Sequence, residues 1–196
     1  SIEEHAREIL ERVELIPPEE FMNRFPSELS GGQRQRIAIG RALMLQPEFI
    51  VADEPVSSLD VSTRGGVLKL LLSLKEEYSL SMLFITHDLA TARHVCDNIA
   101  VMYLGRIVEM AGSGELIDEP MHPYTQALIS ALPSPNPIER GVEVNLKGEI
   151  ASASDLPGGC RFSPRCPHAD DGCRDIEPDL MEISPGHFVA CYRVNN

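Results

Sequence analysis

The sequence predicts an α/β fold: a parallel sheet with flanking helices, followed by a small, irregular, cysteine-rich extension. Three observations carry this. Short continuous apolar runs, Phe49-Ile50-Val51-Ala52 and Met82 to Ile85, alternate with longer stretches of helical apolar spacing, the pattern of parallel strands and the helices that cover them. The first run ends in Asp53-Glu54, two carboxylates at the strand end where open α/β sheets place their ligands. After Gly112 the periodicity fades, and Pro, Gly and Cys take over. A boundary near residue 112 therefore separates a region of residues 1–111 from one of residues 112–196.

Taken in order, Ile2 to Glu14 carries Ile2, Ala6, Ile9, Leu10 and Val13 as a helical stripe that Pro17-Pro18 ends. Gln33 to Leu45 repeats the spacing until Gln46-Pro47 stops it. The run from Phe49 reads as a strand buried on both faces, Val61 to Tyr78 as a helix, and Met82 to Ile85 as a second buried strand. Asp88 to Asp97 reads as a helix with Cys96 in the core, and Ile99 to Leu104 as a third strand. A turn at Gly105-Arg106 leads into Ile107 to Met110, which suits a small hairpin. Beyond the boundary, Pro120, Pro123, Pro133, Pro135 and Pro137 punctuate the chain around one short helix, Tyr124 to Leu132.

Composition narrows the function classes. Hydrophobic residues make up 43% of the 196, enough to build a core. The net charge is -13 with only 17 Lys+Arg, and the longest basic cluster is Arg34, Arg36 and Arg41. Displacing counterions from a nucleic acid needs clustered cations, so no nucleic-acid partner is expected. No apolar run approaches the roughly 20 residues of a membrane span, so a soluble or peripheral protein is expected. No secretory signal is visible, which points to a reducing compartment and to metal or free thiols rather than disulfides for the five cysteines.

Three motifs carry chemistry. Adjacent acids at a strand end suit metal-assisted phosphoryl transfer: one holds Mg²⁺, the other orients an attacking water. Ser30-Gly31-Gly32-Gln33 joins a capping residue to glycines that let backbone N–H groups approach an anion at a helix start. His87 directly follows a strand. Each alone also fits an ordinary turn, cap or structural histidine. Their order changes the weight: Gln33 lies 21 residues before Glu54, Ser58-Leu59-Asp60 follows at once, and His87 comes after one helix and one strand.

In that order and spacing, Ser1 to about Met110 resembles the ATP-binding subunit of ABC transporters, a P-loop NTPase fold. Leu29 to Gln33 is similar to the family's signature motif, Phe49 to Glu54 to its Walker B strand, Ser57 to Asp60 to its D-loop, and His87 to its switch histidine. The resemblance implies that Asp53 serves Mg²⁺, Glu54 polarises the attacking water, and His87 contacts the γ-phosphate. It implies that Ser30, Gly31, Gly32 and Gln33 bind the γ-phosphate of ATP held by an opposite subunit, and that Asp60 links the two sites. Val56, where many members carry Thr, is expected to pack. Glu119 to Thr125 with Gly159-Cys160, Pro164 to Pro167 and Cys173 resembles the carboxy-terminal extension of oligopeptide and dipeptide importers, also seen in nickel importers. Implied partners are a second ATP-binding subunit, identical or not, two membrane permeases and an external solute-binding protein, with the chain at the cytoplasmic face of the membrane.

A phosphate-cradling loop needs G-x-x-x-x-G-K-[ST]. The lysines Lys69, Lys75 and Lys147 lie in no such context. The expectation is the carboxy-terminal part of a longer subunit, inactive alone, with a sheet lacking its first strands and apolar faces left exposed. Cys160, Cys166, Cys173 and Cys191 form a C-x5-C-x6-C-x17-C pattern suited to a [4Fe–4S] cluster or a structural Zn²⁺, with His168 and His187 as substitute ligands. Reduced thiols packing a small subdomain would leave the same pattern. Two other functions fit parts of the sequence. A chromosome-maintenance or repair ATPase head shares the motifs, but lacks support from the acidic balance, the absent heptads and the tail. A non-catalytic metal or redox module conflicts with retention of Glu54 and His87.

Overall fold

The computed structural model describes residues 1–132 and 156–194. Pro133, Pro135, Pro137 and Lys147 lie outside the described residues. The chain forms two compact units, Ser1–His87 and Asp88–Asn196.

The first unit begins with α1 (Ile2–Arg12), which Ser1 caps in a reciprocal box with Glu4. A short α2 (Glu19–Met22) and a 3₁₀ turn (Pro26–Glu28) lead to α3 (Gly31–Leu43), then β1 (Phe49–Asp53), α4 (Val61–Glu77) and β2 (Ser81–Ile85). Strands β1 and β2 are parallel and in register from Phe49↔Ser81 to Asp53↔Ile85. The helix between them is the connection a parallel pair requires. Ile9, Val13, Ile39, Leu43, Val67, Leu70, Leu71 and Leu74 form the core of the unit, with Ile50, Met82 and Phe84 packed against it. Val56 belongs to this core too, at 6% exposure.

The sheet departs from one sequence expectation. Both strands are buried on one face only. Alternation turns Ile50, Ala52, Met82 and Phe84 toward the helices and leaves Phe49, Val51, Leu83 and Ile85 at 55, 55, 50 and 43% exposure. The helices of this unit cover a single side, so a continuous apolar run here marks an amphipathic placement with one uncovered apolar face. That uncovered face itself matches the expectation of exposed sheet surface.

The second unit holds α5 (Leu89–Val95), β3 (Asn98–Tyr103), β4 (Arg106–Gly112), α6 (Ser113–Asp118), α7 (Pro123–Ser130), α8 (Gly172–Asp175), β5 (Met181–Ser184) and β6 (His187–Val189). Strands β3 and β4 form the expected hairpin. Its two turn residues are Leu104 and Gly105, both at positive φ (45° and 79°), the backbone a tight two-residue turn demands. The third strand does not extend a parallel sheet. It edges an antiparallel sheet of order β3-β4-β6-β5. Because β6 pairs with β4 from far along the chain, the hairpin and the tail share one unit, and the contact division falls at His87/Asp88 rather than near 112. Tyr103, Val108, Ala111, Leu116 and Phe162 fill its core, and Cys96 packs against it partly buried.

Candidate functional site

The site is assembled at the carboxyl ends of β1 and β2. Asp53 closes β1 and is exposed. The next residue, Glu54, leaves the strand with φ at +47°, a left-handed conformation that costs a non-glycine residue of order 1 kcal/mol or more. Three bonds hold it there: its N–H donates to Ile85 O at 2.9 Å, and its C=O accepts from Ser57 Oγ at 3.1 Å and from Ser57 N at 3.2 Å. The bend brings Glu54 Oε1 to 2.8 Å from His87 Nδ1, across 33 residues of sequence. His87 is 78% exposed and Glu54 half-buried. The strand pair thus places an acid, a second acid and an imidazole on one open edge.

The helix starts are equally well defined. Ser30 Oγ accepts from Gln33 N at 3.2 Å, while Gln33 Oε1 accepts from Ser30 N at 2.9 Å. This capping box leaves the N–H groups of Gly31 and Gly32 unclaimed by the helix that follows. Asp60 caps α4: Oδ1 accepts from Thr63 N at 3.0 Å, Oδ2 from Thr63 Oγ1 at 2.8 Å, and Ser62 Oγ also donates to Oδ1. The Ser62 bond first, then those from Thr63, hold the Asp60 carboxyl down to about 2. Arg64 fixes the same loop, donating to Leu59 O at 2.9 Å and Ser57 O at 3.4 Å. Sequence reading identified Asp60 but not the roles of Thr63 and Arg64. An Asp three residues before a Thr at a helix start was the available signal.

Residues 1–57 match the family described as ABC transporter, and residues 108–173 match the oligopeptide/dipeptide transporter, C-terminal region. Relatives agree with this. A Brucella ovis protein described as a candidate peptide import ATP-binding protein is 54% identical over 98% of this chain and 60% of its own length. The Bacillus subtilis oligopeptide transport ATP-binding protein AppF is 50% identical over 96% of this chain and 57% of its own. The chain therefore spans about three-fifths of the length of these relatives. Among solved structures, the ADP conformation of MJ1267, an ATP-binding cassette of an ABC transporter, matches with a TM-score of 0.54 at 31% identity, covering 61% of this chain and 47% of that one.

Residues 160–191 contain a second cluster. Cys160, Cys166, Cys173 and Cys191 all line one cavity of about 20 Å³, with His122, Phe162 and Arg193. That is room for about one water. Gly159, at φ +66°, makes the convergence possible: a Cβ there would stand 2.6 Å from Cys173 O, and Cys160 N donates to that same carbonyl at 2.8 Å. Burial raises the Cys160, Cys166 and Cys173 thiols above their ordinary value, so without a ligand they hold their protons. Among the described residues no disulfide joins the cysteines. Among the described residues no group of three or more His, Cys, Asp or Glu side chains is placed to hold a metal ion. The thiols thus face one cavity without ligand spacing.

Neither substitute ligand fits its expected part, because neither His168 nor His187 lines the cavity. His187 is fully buried, with Nε2 at 2.8 Å from Glu109 Oε1 and Nδ1 at 3.0 Å from Glu115 Oε1. Burial works against its charged form, but the hydrogen bonds of Glu109 and Glu115 prevail and raise its pKa. Glu109, also fully buried, accepts from Met121 N and His122 N at 2.7 and 3.0 Å. His122, whose Nδ1 accepts from Tyr124 N, is driven down to about 4 by burial despite Glu109. This network escaped the sequence reading. Its one visible sign was an acid, Glu109, amid the apolar residues of a strand.

Proposed function

We propose that the chain is part of the ATP-hydrolysing subunit of a peptide importer. The observation that carries the reading is the Glu54–His87 contact at the sheet edge, 2.8 Å apart, in a chain whose sequence matches ABC and oligopeptide/dipeptide transporter families. In this reading Asp53 holds Mg²⁺ and Glu54 orients the attacking water. His87, with Nδ1 2.8 Å from Glu54 Oε1, contacts the γ-phosphate. Ser30, Gly31, Gly32 and Gln33 bind the γ-phosphate of ATP held by a second ATP-binding subunit, through the unclaimed N–H groups at the start of α3 and the polar side chains of the capping box, and Asp60 joins the two sites by fixing the start of α4. The subunit works beneath two permeases at the cytoplasmic face of the membrane, supplied by an external binding protein. No helix among the described residues is long and apolar enough to cross a membrane.

The tail is the second part of the proposal. The C-x5-C-x6-C-x17-C pattern supports a tetrathiolate site for a [4Fe–4S] cluster or Zn²⁺, and binding would have to draw the four thiols together and strip their protons. Metal analysis of protein purified without oxygen tests this: four irons with absorbance near 400 nm mean a cluster, one zinc a structural ion, and neither leaves packed thiols.

ATP turnover by the polypeptide as the cell makes it, assembled with its permeases, tests the main reading. Turnover that Glu54→Gln abolishes supports it, and turnover indifferent to Glu54 refutes it. The chain of residues 1–196 by itself is expected to show little or no turnover.

A further inference from the structure

The two glycines at the start of α3 stand in different surroundings. Gly31 is half-buried, and a Cβ there would meet Leu59 Cδ2 at 3.3 Å, the end of a flexible side chain. Gly32 is buried, and a Cβ there would stand 2.5 Å from Thr63 Cγ2. No real Cβ contact is that short, and Thr63 has no freedom to withdraw. Its Oγ1 is bonded to Asp60 Oδ2 and its backbone N–H to Asp60 Oδ1. A β-branched side chain pinned through its hydroxyl in a helix has its γ-methyl fixed as well. The methyl therefore reaches into the space that Gly32 leaves empty, and the N-terminal ends of α3 and α4 close on each other there.

We propose that Gly32 and Thr63 form a positioning contact, in which the Thr63 γ-methyl seats the N-terminus of α3 against the Asp60-capped start of α4. The side of Gly32 where a Cβ would stand is then a packing surface, and its N–H group stays free to meet a ligand. Neither Gly32 nor Thr63 needs to touch substrate for the contact to matter. It transmits the placement of Asp60 to the N–H groups of the capping box, so any reaction that uses both depends on it. This inference rests on the ATPase reading for its consequence, but the contact itself stands on geometry.

The test is a mutant cycle in the polypeptide as the cell makes it, read by thermal unfolding and by KM for ATP. Gly32→Ala is expected to lower Tm by roughly 5 °C, as overpacking in a closed site does, and to raise KM about tenfold, the effect of a ~1.4 kcal/mol loss. Thr63→Ser removes the methyl but keeps the hydroxyl for Asp60. In the double variant Gly32→Ala/Thr63→Ser, both Tm and KM return to the values of Thr63→Ser alone. Thr63→Val keeps the methyl position filled, and Gly32→Ala/Thr63→Val shows no recovery. Failure of Thr63→Ser to restore Tm overturns the contact. Recovery of Tm with KM still raised overturns the positioning role and returns Gly32 to ligand approach. Absence of turnover in the unmodified polypeptide refutes the ATPase reading instead, and the Tm cycle then decides the contact alone.

Discussion

The two units solve the placing of polar groups in opposite ways. The first exposes its chemistry: Asp53, Asp60 and His87 face solvent, and Glu54 is half-buried on an open sheet edge. The second buries its chemistry. Glu109 and His187 are 0% exposed and neutralise each other at 2.8 Å, while four thiols enclose a cavity of about 20 Å³. An exposed polar edge needs only local turns and caps to shape it, and it leaves room for a ligand. A buried polar cluster must satisfy each donor internally, because an unpaired buried charge is costly. The first arrangement suits a reaction on a soluble substrate. The second suits the fixing of a fold with few regular elements.

Variants that affect one unit and spare the other sharpen this comparison. The largest effect is expected from Glu54→Gln, which removes the carboxylate facing His87. Turnover of the assembled polypeptide should fall by about 10² to 10⁴, the range for loss of a group that orients or deprotonates a nucleophile, with thermal stability unchanged. A stability loss of equal rank would mean that the open edge is structural after all.

Next is Phe162→Ala. Phe162 is 1% exposed and stacks edge-on with Tyr103 at 5.3 Å and against Tyr124 at 5.3 Å. Its removal should destabilise the second unit by about 3–5 kcal/mol. Thiol labelling of Cys160 and Cys166 should quicken, while hydrogen exchange in α3 and α4 stays as it was. Loss of protection in both units together would break the comparison.

The third test is pH. His122, depressed to about 4 by burial, contributes stability that is complete above its unfolded value of about 6.5 and is lost as pH falls toward 4. The shift corresponds to about 3 kcal/mol at most. His187 is raised, so its contribution is complete below about 6.5 and is lost as pH climbs through its folded value. Denaturant unfolding of the second unit should therefore show a maximum near pH 6.5. His122→Gln should flatten the acid limb and His187→Gln the alkaline limb. Smallest is Ser30→Ala, which deletes a cap bond to Gln33 N and should cost about 1 kcal/mol, confined to the first unit.

Much of the first unit was legible in the sequence because its determinants are local. Apolar spacing gave α1, α3 and α4 to within a few residues, and Gln46-Pro47 stopped α3. The acids after β1 and the histidine after β2 were placed at one edge by the rule for parallel sheets, and the edge is where they stand. The second unit was legible only in part. No sequence periodicity announced that β5 and β6 would complete the sheet of β3 and β4, since the pairing that joins them, β4 with β6, links segments about 80 residues apart. The same distance hid Glu109–His187, and it misassigned His187 as a possible metal ligand.

The sequence by itself determined the helices α1, α3 and α4, the strands β1 to β4, the cap at Ser30, the acidic strand end and the convergence of chemistry at β1 and β2. Each follows from residues within a few positions of one another, where backbone preference and hydrogen bonding act directly. Tertiary structure alone decided that β1 and β2 keep an uncovered apolar face, that β3 belongs to an antiparallel sheet, that Thr63 fills the space beside Gly32, and that His187 pairs with Glu109. Those outcomes depend on which surfaces meet, and they are set by close packing and by the need to satisfy buried polar groups across long stretches of chain.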